Sequence, residues 1–499
     1  MKKQSLKIYL DYAASTPVLR EVKRVMEPYF SDTFGNPGSL HSFGQEAIAA
    51  IDAARETIAK AIHAEFREVI FTSGATEANN LALRGVVFGT REWESGIRGR
   101  ESGINLPAQA CLRRQAGNKE LGGRRKGSIT RGFRPKVIVS AIEHESVLDT
   151  AYALEKDGVE VAVLPVDKRG IVDLKKLETM LDERTVLVSV MYVNNEIGSV
   201  QPISKISEVI RNFRNAKFQT LNAKSIAEST MLKAHQPTIR PFYIGHLDFG
   251  FAGEAYPLLH VDAAQAFEYF KCDVGRLGVD LMTLSSQKIY GPKGAGALFV
   301  KNQESGIKGQ ESGIRNKELG VKRDGAIIHN SKFLIPFVTG GGQEFGFRSG
   351  TENVPAIVGF GNAAMLAEKG RAKHAKQVTE VRNYFWRELK KIYPQASMNG
   401  DNELRIGNKE SGIMAPHIIN AYFPTEFAGD LLVKMDMAGI AASSGSACSA
   451  RSFVPSHVLE ALGLPSERIR GSIRFSFGVP TTRQEIREAV RRIKKLLGE

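Results

Sequence analysis

The chain has 499 residues, 42% of them apolar and 24% charged, with a formal net charge of +14. That balance belongs to a globular protein with a sizeable core and excludes a fibrous or wholly disordered chain. No uninterrupted apolar run approaches the roughly 20 residues of a membrane-spanning helix, so no membrane partner is expected.

In chain order, Lys2 and Lys3 lead straight into Ile8–Ala14 with no apolar signal core, which makes cytoplasmic residence the expectation. Glu68–Thr72 reads as the first strong strand, and Ser73-Gly-Ala-Thr76 turns through glycine into a helix. Backbone N–H groups at such a helix start, with the Thr76 hydroxyl, can hold a phosphate, although a small-residue helix cap has the same appearance. Lys136–Ser140 is the next strand and leads to His144, a residue that by itself reads as structural more readily than catalytic. Thr185–Tyr192 ends at Asn194 and Asn195, where amides project from another strand terminus. Leu258–Asp262 closes on a carboxylate that is costly to bury unless a cation or strong donor meets it. Finally, the apolar run from Val279 to Leu284 ends at Ser285, Ser286, Gln287 and Lys288, followed at once by a Gly- and Pro-rich loop. Strands alternating with helical stretches indicate an α/β fold with a mostly parallel sheet, whose ligands belong at the carboxyl ends of the strands.

The positive charge is unevenly spread. Residues 91–136 hold twelve Lys/Arg against four acids, residues 212–256 five against three, and residues 301–332 seven against four. The first and third of these segments share a short repeat, Glu94-Ser-Gly-Ile97, Glu101-Ser-Gly-Ile104, Glu304-Ser-Gly-Ile307 and Glu311-Ser-Gly-Ile314, which returns as Glu410-Ser-Gly-Ile413 within a shorter insertion at about 402–414. The spacing is irregular, so this is no solenoid; interspersed basic insertions forming surface loops or disorder are expected, with nucleic acid an unlikely partner.

Lys288, Asp262 and the turn at Thr76 together narrow the chemistry. Pyridoxal phosphate needs a lysine for its Schiff base, a carboxylate to keep its ring nitrogen protonated, and a phosphate cradle. Of the three cysteines, Cys111 lies in an insertion, Cys272 follows a helix-like stretch, and Cys448 sits among Gly, Ser and Ala, which suits an exposed thiol. Three widely spaced cysteines fit neither a disulfide framework nor a zinc cluster.

These residues resemble the cysteine desulfurases of the NifS/IscS type, first group, within the class-V aminotransferase-like pyridoxal-phosphate family. The resemblance runs through Tyr9–Pro17, Phe34–Pro37, Phe71–Glu77, Glu143–Asp149, Val193–Gly198, His260–Gln265, Lys288–Gly294, Gly340–Glu344, Arg348–Thr351, Ser443–Cys448 and Ser472–Ser476. It covers nearly everything outside the insertions.

The resemblance implies an aminotransferase-like, fold type I architecture: a large cofactor domain over 16–371 and a smaller α/β domain built from 1–15 and 372–499. It implies that Lys288 is the Schiff-base lysine, that Asp262 pairs with the ring nitrogen, that Gln265 meets the ring hydroxyl, and that His144 stacks on the ring and assists proton transfer. Ala75, Thr76, Ser285 and Gln287 would surround the phosphate, with Thr351 supplied by the partner of a homodimer. Asn195 and Arg474 would hold the carboxylate of L-cysteine, and Cys448 would take its sulfur as a persulfide, releasing L-alanine. The sulfur would pass to an acceptor such as an iron–sulfur scaffold protein or a tRNA-thiolation enzyme. No resident metal is implied, Cys448 being at most a transient iron–sulfur ligand. Two positions depart from the family: Gln287 replaces a histidine and cannot carry charge, and Phe345 replaces an arginine near the dimer interface. A selenocysteine lyase or aminotransferase would keep Lys288 and Asp262 without needing Cys448; a non-catalytic basic interaction protein is the remaining alternative.

Overall fold

The computed structural model describes residues 7–101, 134–233, 256–301, 333–400, 414–445 and 455–498. Its strands, in chain order, are β1 (Ile8–Tyr9), β2 (Val69–Thr72), β3 (Lys136–Ser140), β4 (Glu160–Leu164), β5 (Thr185–Ser189), β6 (Leu258–Asp262), β7 (Leu281–Ser285), β8 (Gly296–Val300), β9 (Ser397–Met398), β10 (Ile418–Tyr422), β11 (Ile440–Ala441) and β12 (Ser472–Ser476).

A sheet of seven strands, ordered β2-β8-β7-β6-β5-β3-β4, forms the centre. Strands β3 to β7 are parallel, and β8 alone reverses between β7 and β2. The alternation of side chains across a strand explains why these segments read as continuous apolar runs. Ile138, Val188, Val261 and Met282 enter one buried cluster, while their neighbours Val137, Val139, Leu187 and Leu281 enter another on the opposite face. In the inner strands both faces are buried, so most positions are apolar; His260 in β6 and Thr283 in β7 are buried polar exceptions that bond to each other, Nε2 to Oγ1 at 3.0 Å. Polar residues are concentrated where the strands end, and parallel pairing brings those ends to one edge.

A second unit combines the antiparallel β9, β10 and β12 with the parallel pair β1 and β11. Its core is aromatic, with the Phe385 ring 4.7 Å from that of Phe475 and 5.3 Å from that of Phe477. One helix of 39 residues, Val354–Ile392, joins the two units. Ile357, Phe360 and Ala364 near its start pack in the first core, and Val378, Phe385 and Leu389 near its end pack in the second.

Two basic segments differ from expectation where they are described. Helix Ala75–Glu101 continues to residue 101 and helix Ile203–Lys233 to residue 233, inside stretches expected to be loops. Helical hydrogen bonding propagates residue by residue once nucleated, so a helix can run on into a segment whose composition alone suggests a loop. The remainder of 91–136 and 212–256 up to their flanking residues, together with 302–332 and 402–413, lies outside the described residues.

Candidate active site

The carboxyl edge of the large sheet opens into a cleft of about 320 Å³. Lys288 stands there because β7 passes into a short 3-10 turn, Ser286–Lys288, which swings the side chain off the sheet. Its Nζ donates to the carbonyls of Ala13 and Ala14, at 2.7 and 2.6 Å, so the N-terminal segment forms one wall. Asp262 ends the adjacent strand β6 and is 5% exposed. It accepts from Asn79 Nδ2 at 2.8 Å and from the Ala264 amide at 2.9 Å. Both donors are neutral, so the carboxylate's charge remains for whatever occupies the cleft.

Ser73, Gly74, Ala75 and Thr76 line the same cleft at the start of a 27-residue helix. First-turn N–H groups have no intrahelical acceptor, which makes this end an anion cradle. Ser73 is engaged elsewhere: its amide and hydroxyl donate to Glu77 Oε2, at 2.8 and 2.5 Å. Arg348 adds a contact from Nε to Glu77 Oε1 at 2.8 Å. Burial opposes ionisation of Glu77, but Arg348 and Ser73 outweigh it and hold the carboxyl below the ordinary carboxylate range. Close approach completes the cradle, since a Cβ at Gly296 would lie 2.6 Å from the carbonyl carbon of Gly74.

His144 is the N-cap of helix Glu145–Glu155, with Nδ1 accepting from the Ser146 amide at 3.1 Å. Nδ1 is therefore committed as an acceptor, and the proton of the neutral ring belongs on Nε2. Ser146 Oγ lies 3.0 Å from the same Nδ1 and accepts from Asn79 Nδ2 at 2.8 Å. Asn79 thus connects His144, through Ser146, to Asp262. Directly before His144, the carboxyl of Glu143 is wholly buried, and burial pushes its pKa up to about 8 despite bonds from Ser140 Oγ and the Met191 amide.

Arg474 comes from β12 in the second unit and is 1% exposed. Nη1 donates to the Asn195 carbonyl at 2.9 Å, Nη2 meets Asp11 Oδ1 at 2.7 Å, and Nε has no partner among the described residues. Gln265 also lines the cleft, as do Asn195, Ser285 and Gln287.

Comparison with known proteins decides the family. The Aminotransferase class-V family matches residues 8–94, 130–231 and 251–488. Cysteine desulfurase IscS of Dictyoglomus turgidum is 34% identical over 479 residues, covering 96% of this chain and 91% of the relative. Cysteine desulfurase IscS 1 of Archaeoglobus fulgidus is 35% identical, with 96% and 94% covered. A solved NifS-like protein superposes with a TM-score of 0.69 at 25% identity, covering 99% of this chain and all of that one. The chain belongs to the class-V aminotransferases, as a cysteine desulfurase of the NifS/IscS type.

Within this desulfurase the cleft brings together Ala75, Thr76, His144, Asn195, Asp262, Gln265, Ser285, Gln287, Lys288 and Arg474. Thr351 is not among the lining residues and is exposed. Cys448 and Cys111 lie outside the described residues. Cys272 is fully buried, and burial pushes its thiol up to about 12, which leaves it a poor nucleophile. Phe345 packs edge-on against Phe66, with the Arg55 guanidinium 4.8 Å above its ring, while Arg55 pairs bidentately with Glu344 at 2.7 Å. The aromatic residue thus belongs to a buried cation cage in its own subunit.

Sequence reasoning missed Asn79, Ser146, Asp11 and His417. Asn79 lies one helical turn after Thr76, but with Glu77 and Asn80 beside it no local pattern singles it out. Asp11 and His417 act across long separations that no local pattern reports.

Proposed function

We propose that this desulfurase works with pyridoxal phosphate and removes sulfur from L-cysteine, giving L-alanine and a persulfide on Cys448. The observation that carries the proposal is the placement of Lys288 and Asp262 at the ends of adjacent strands, on one cleft with an anion cradle and a buried arginine. The residues fit the cofactor: a carboxylate with only neutral partners suits a protonated ring nitrogen, and the open first turn at Ala75 and Thr76 suits a phosphate.

When bound, the cofactor supplies an electron sink that acidifies the α-hydrogen of an attached amino acid. Asp262 keeps the proton on the ring nitrogen. Arg474, helped by Asn195, binds the substrate carboxylate through its planar fork. With the cofactor bound, Lys288 Nζ would move the α-proton, and His144, whose Nδ1 is taken by the Ser146 amide, would offer Nε2–H in the same cleft. Gln287 and Ser285 take the phosphate by hydrogen bonding alone. The Cys448 thiolate attacks the substrate sulfur; the S–S bond forms as the carbon–sulfur bond breaks, and the carbon takes up a proton to become alanine.

A homodimer belongs to the same proposal, with Thr351 reaching the partner's site. Support comes from exposed apolar side chains on the N-terminal segment, where Phe30 and Phe34 are each 67% exposed and Leu40 is 94% exposed. Cytoplasmic residence and delivery of sulfur to an iron–sulfur scaffold or a tRNA-thiolation enzyme complete it; the sulfur-delivery part accords with relatives named cysteine desulfurase IscS. To test the cofactor assignment, the purified protein is treated with borohydride and digested. A pyridoxyl group on the Lys288 peptide is expected, and one centred on a different lysine would sink the assignment.

A further inference from the structure

The side-chain amide of Gln265 is oriented by groups on two sides. Its Nε2 donates to the Ala13 carbonyl at 2.8 Å. A carbonyl oxygen only accepts, so this contact fixes which end of the amide is nitrogen. On the other side, Gln265 Oε1 lies 3.1 Å from His417 Nε2. An oxygen facing a ring nitrogen at that distance requires a proton on the nitrogen. His417 is therefore the Nε2–H tautomer, and its Nδ1 is left without a partner among the described residues.

His417 is well held for this task. It immediately precedes β10, it is 3% exposed, and its ring stacks on Tyr269 with centroids 4.5 Å apart. Its carbonyl accepts from the Phe477 amide at 2.9 Å, which anchors the backbone. Burial depresses its pKa to about 3, and the positive charges of Arg382, Arg474 and Lys288 act in the same direction. The ring is neutral near pH 7, and its single N–H is spent on Gln265.

We propose that His417 is a positioning residue: by donating to Gln265 Oε1 it keeps the amide nitrogen on the cleft side, so that a donor faces the ring oxygen of pyridoxal phosphate. This rests on reading the cleft as the pyridoxal phosphate site. Without His417, among the described residues only the Ala13 contact restrains the amide, and the flipped form, with Oε1 against the Ala13 carbonyl and the cofactor oxygen, gains population. The donor that touches the cofactor is thus set by a residue of the second unit, through a contact 152 positions apart in sequence.

The test compares the full-length wild type with His417→Leu, which lacks a donor, and His417→Gln, which restores an N–H of similar reach. Pyridoxal phosphate affinity and the pH midpoint of the holoprotein's visible band are both read. In His417→Leu, affinity should fall roughly three- to tenfold, the range one hydrogen bond accounts for. The midpoint should rise, because a donor on the ring oxygen stabilises the more electron-rich, deprotonated form. His417→Gln should stay close to wild type in both. Wild-type values in His417→Leu, or equal shifts in both variants, would overturn the inference and leave His417 a packing residue. Should His417→Leu fail to fold, nitrogen-15 shifts of the wild-type histidines decide: Nε2–H on His417 supports the contact and Nδ1–H refutes it. A wild type that binds no pyridoxal phosphate would instead sink the cofactor reading, while the tautomer measurement still judges the contact.

Discussion

Arg474 Nη2 and Asp11 Oδ1 are 2.7 Å apart, a pair that ties β12 to the N-terminal segment 463 residues away. The Asp11 carboxylate holds one arm of the guanidinium and the Asn195 carbonyl the other. On the proposed reading, a substrate carboxylate would meet a guanidinium that is already oriented by these two contacts.

Removing Asp11 should accordingly raise KM for L-cysteine more than it lowers kcat. Asp11→Asn leaves a buried guanidinium without its counter-charge, which costs about 3 kcal/mol at the lower end of what broken buried pairs show. Thermal denaturation and a KM-against-kcat comparison check this. An unchanged KM with normal cofactor content would mean that Asp11 does not orient Arg474.

A second expectation concerns pH. Glu143 ionises near 4.5 when exposed, whereas burial raises it to about 8 in the fold. Between those values the folded state binds more protons than the unfolded chain, so this group's stabilisation is complete below pH 4.5 and is lost as pH rises toward 8. His260 behaves oppositely, because burial lowers its pKa to about 4 and its contribution is lost as pH falls from 6.5. Glu143→Gln should therefore match the wild-type melting temperature near pH 5 and exceed it by several degrees at pH 8. Parallel melting curves across that range would refute the assignment.

Thiol chemistry can be separated from lysine chemistry. Cys448→Ala should still bind the cofactor and L-cysteine yet form no persulfide, whereas Cys272→Ala should form it normally, since the Cys272 thiol is buried and held up at about 12. Mass spectrometry after brief exposure to L-cysteine locates the added sulfur. Sulfur on the Cys272 peptide would contradict the proposed nucleophile.

The basic segments can be trimmed. Because helix Ala75–Glu101 extends into the first of them, a deletion should begin after residue 101 and end before Lys136. Replacing 102–130 and 303–325 by short Gly/Ser linkers should keep turnover within a few-fold and reduce salt-sensitive binding to nucleic acid. Loss of cofactor would identify these segments as structural.

The strand ends carrying Asp262 and Lys288, the turn at Ser73–Thr76 and the α/β class were legible in the sequence. A strand buried on both faces is mostly apolar, so a charged residue at its terminus stands out even where the interior holds a polar group such as His260, and parallel pairing then gathers those termini at one edge. Tertiary structure alone decided the supporting contacts. Asn79 meets Ser146 and Asp262, Asp11 meets Arg474, and His417 meets Gln265 only because separate elements pack together. Helix periodicity constrains neighbours three and four residues apart; no such rule relates positions hundreds of residues apart, where the contact follows from how two cores are joined by one helix.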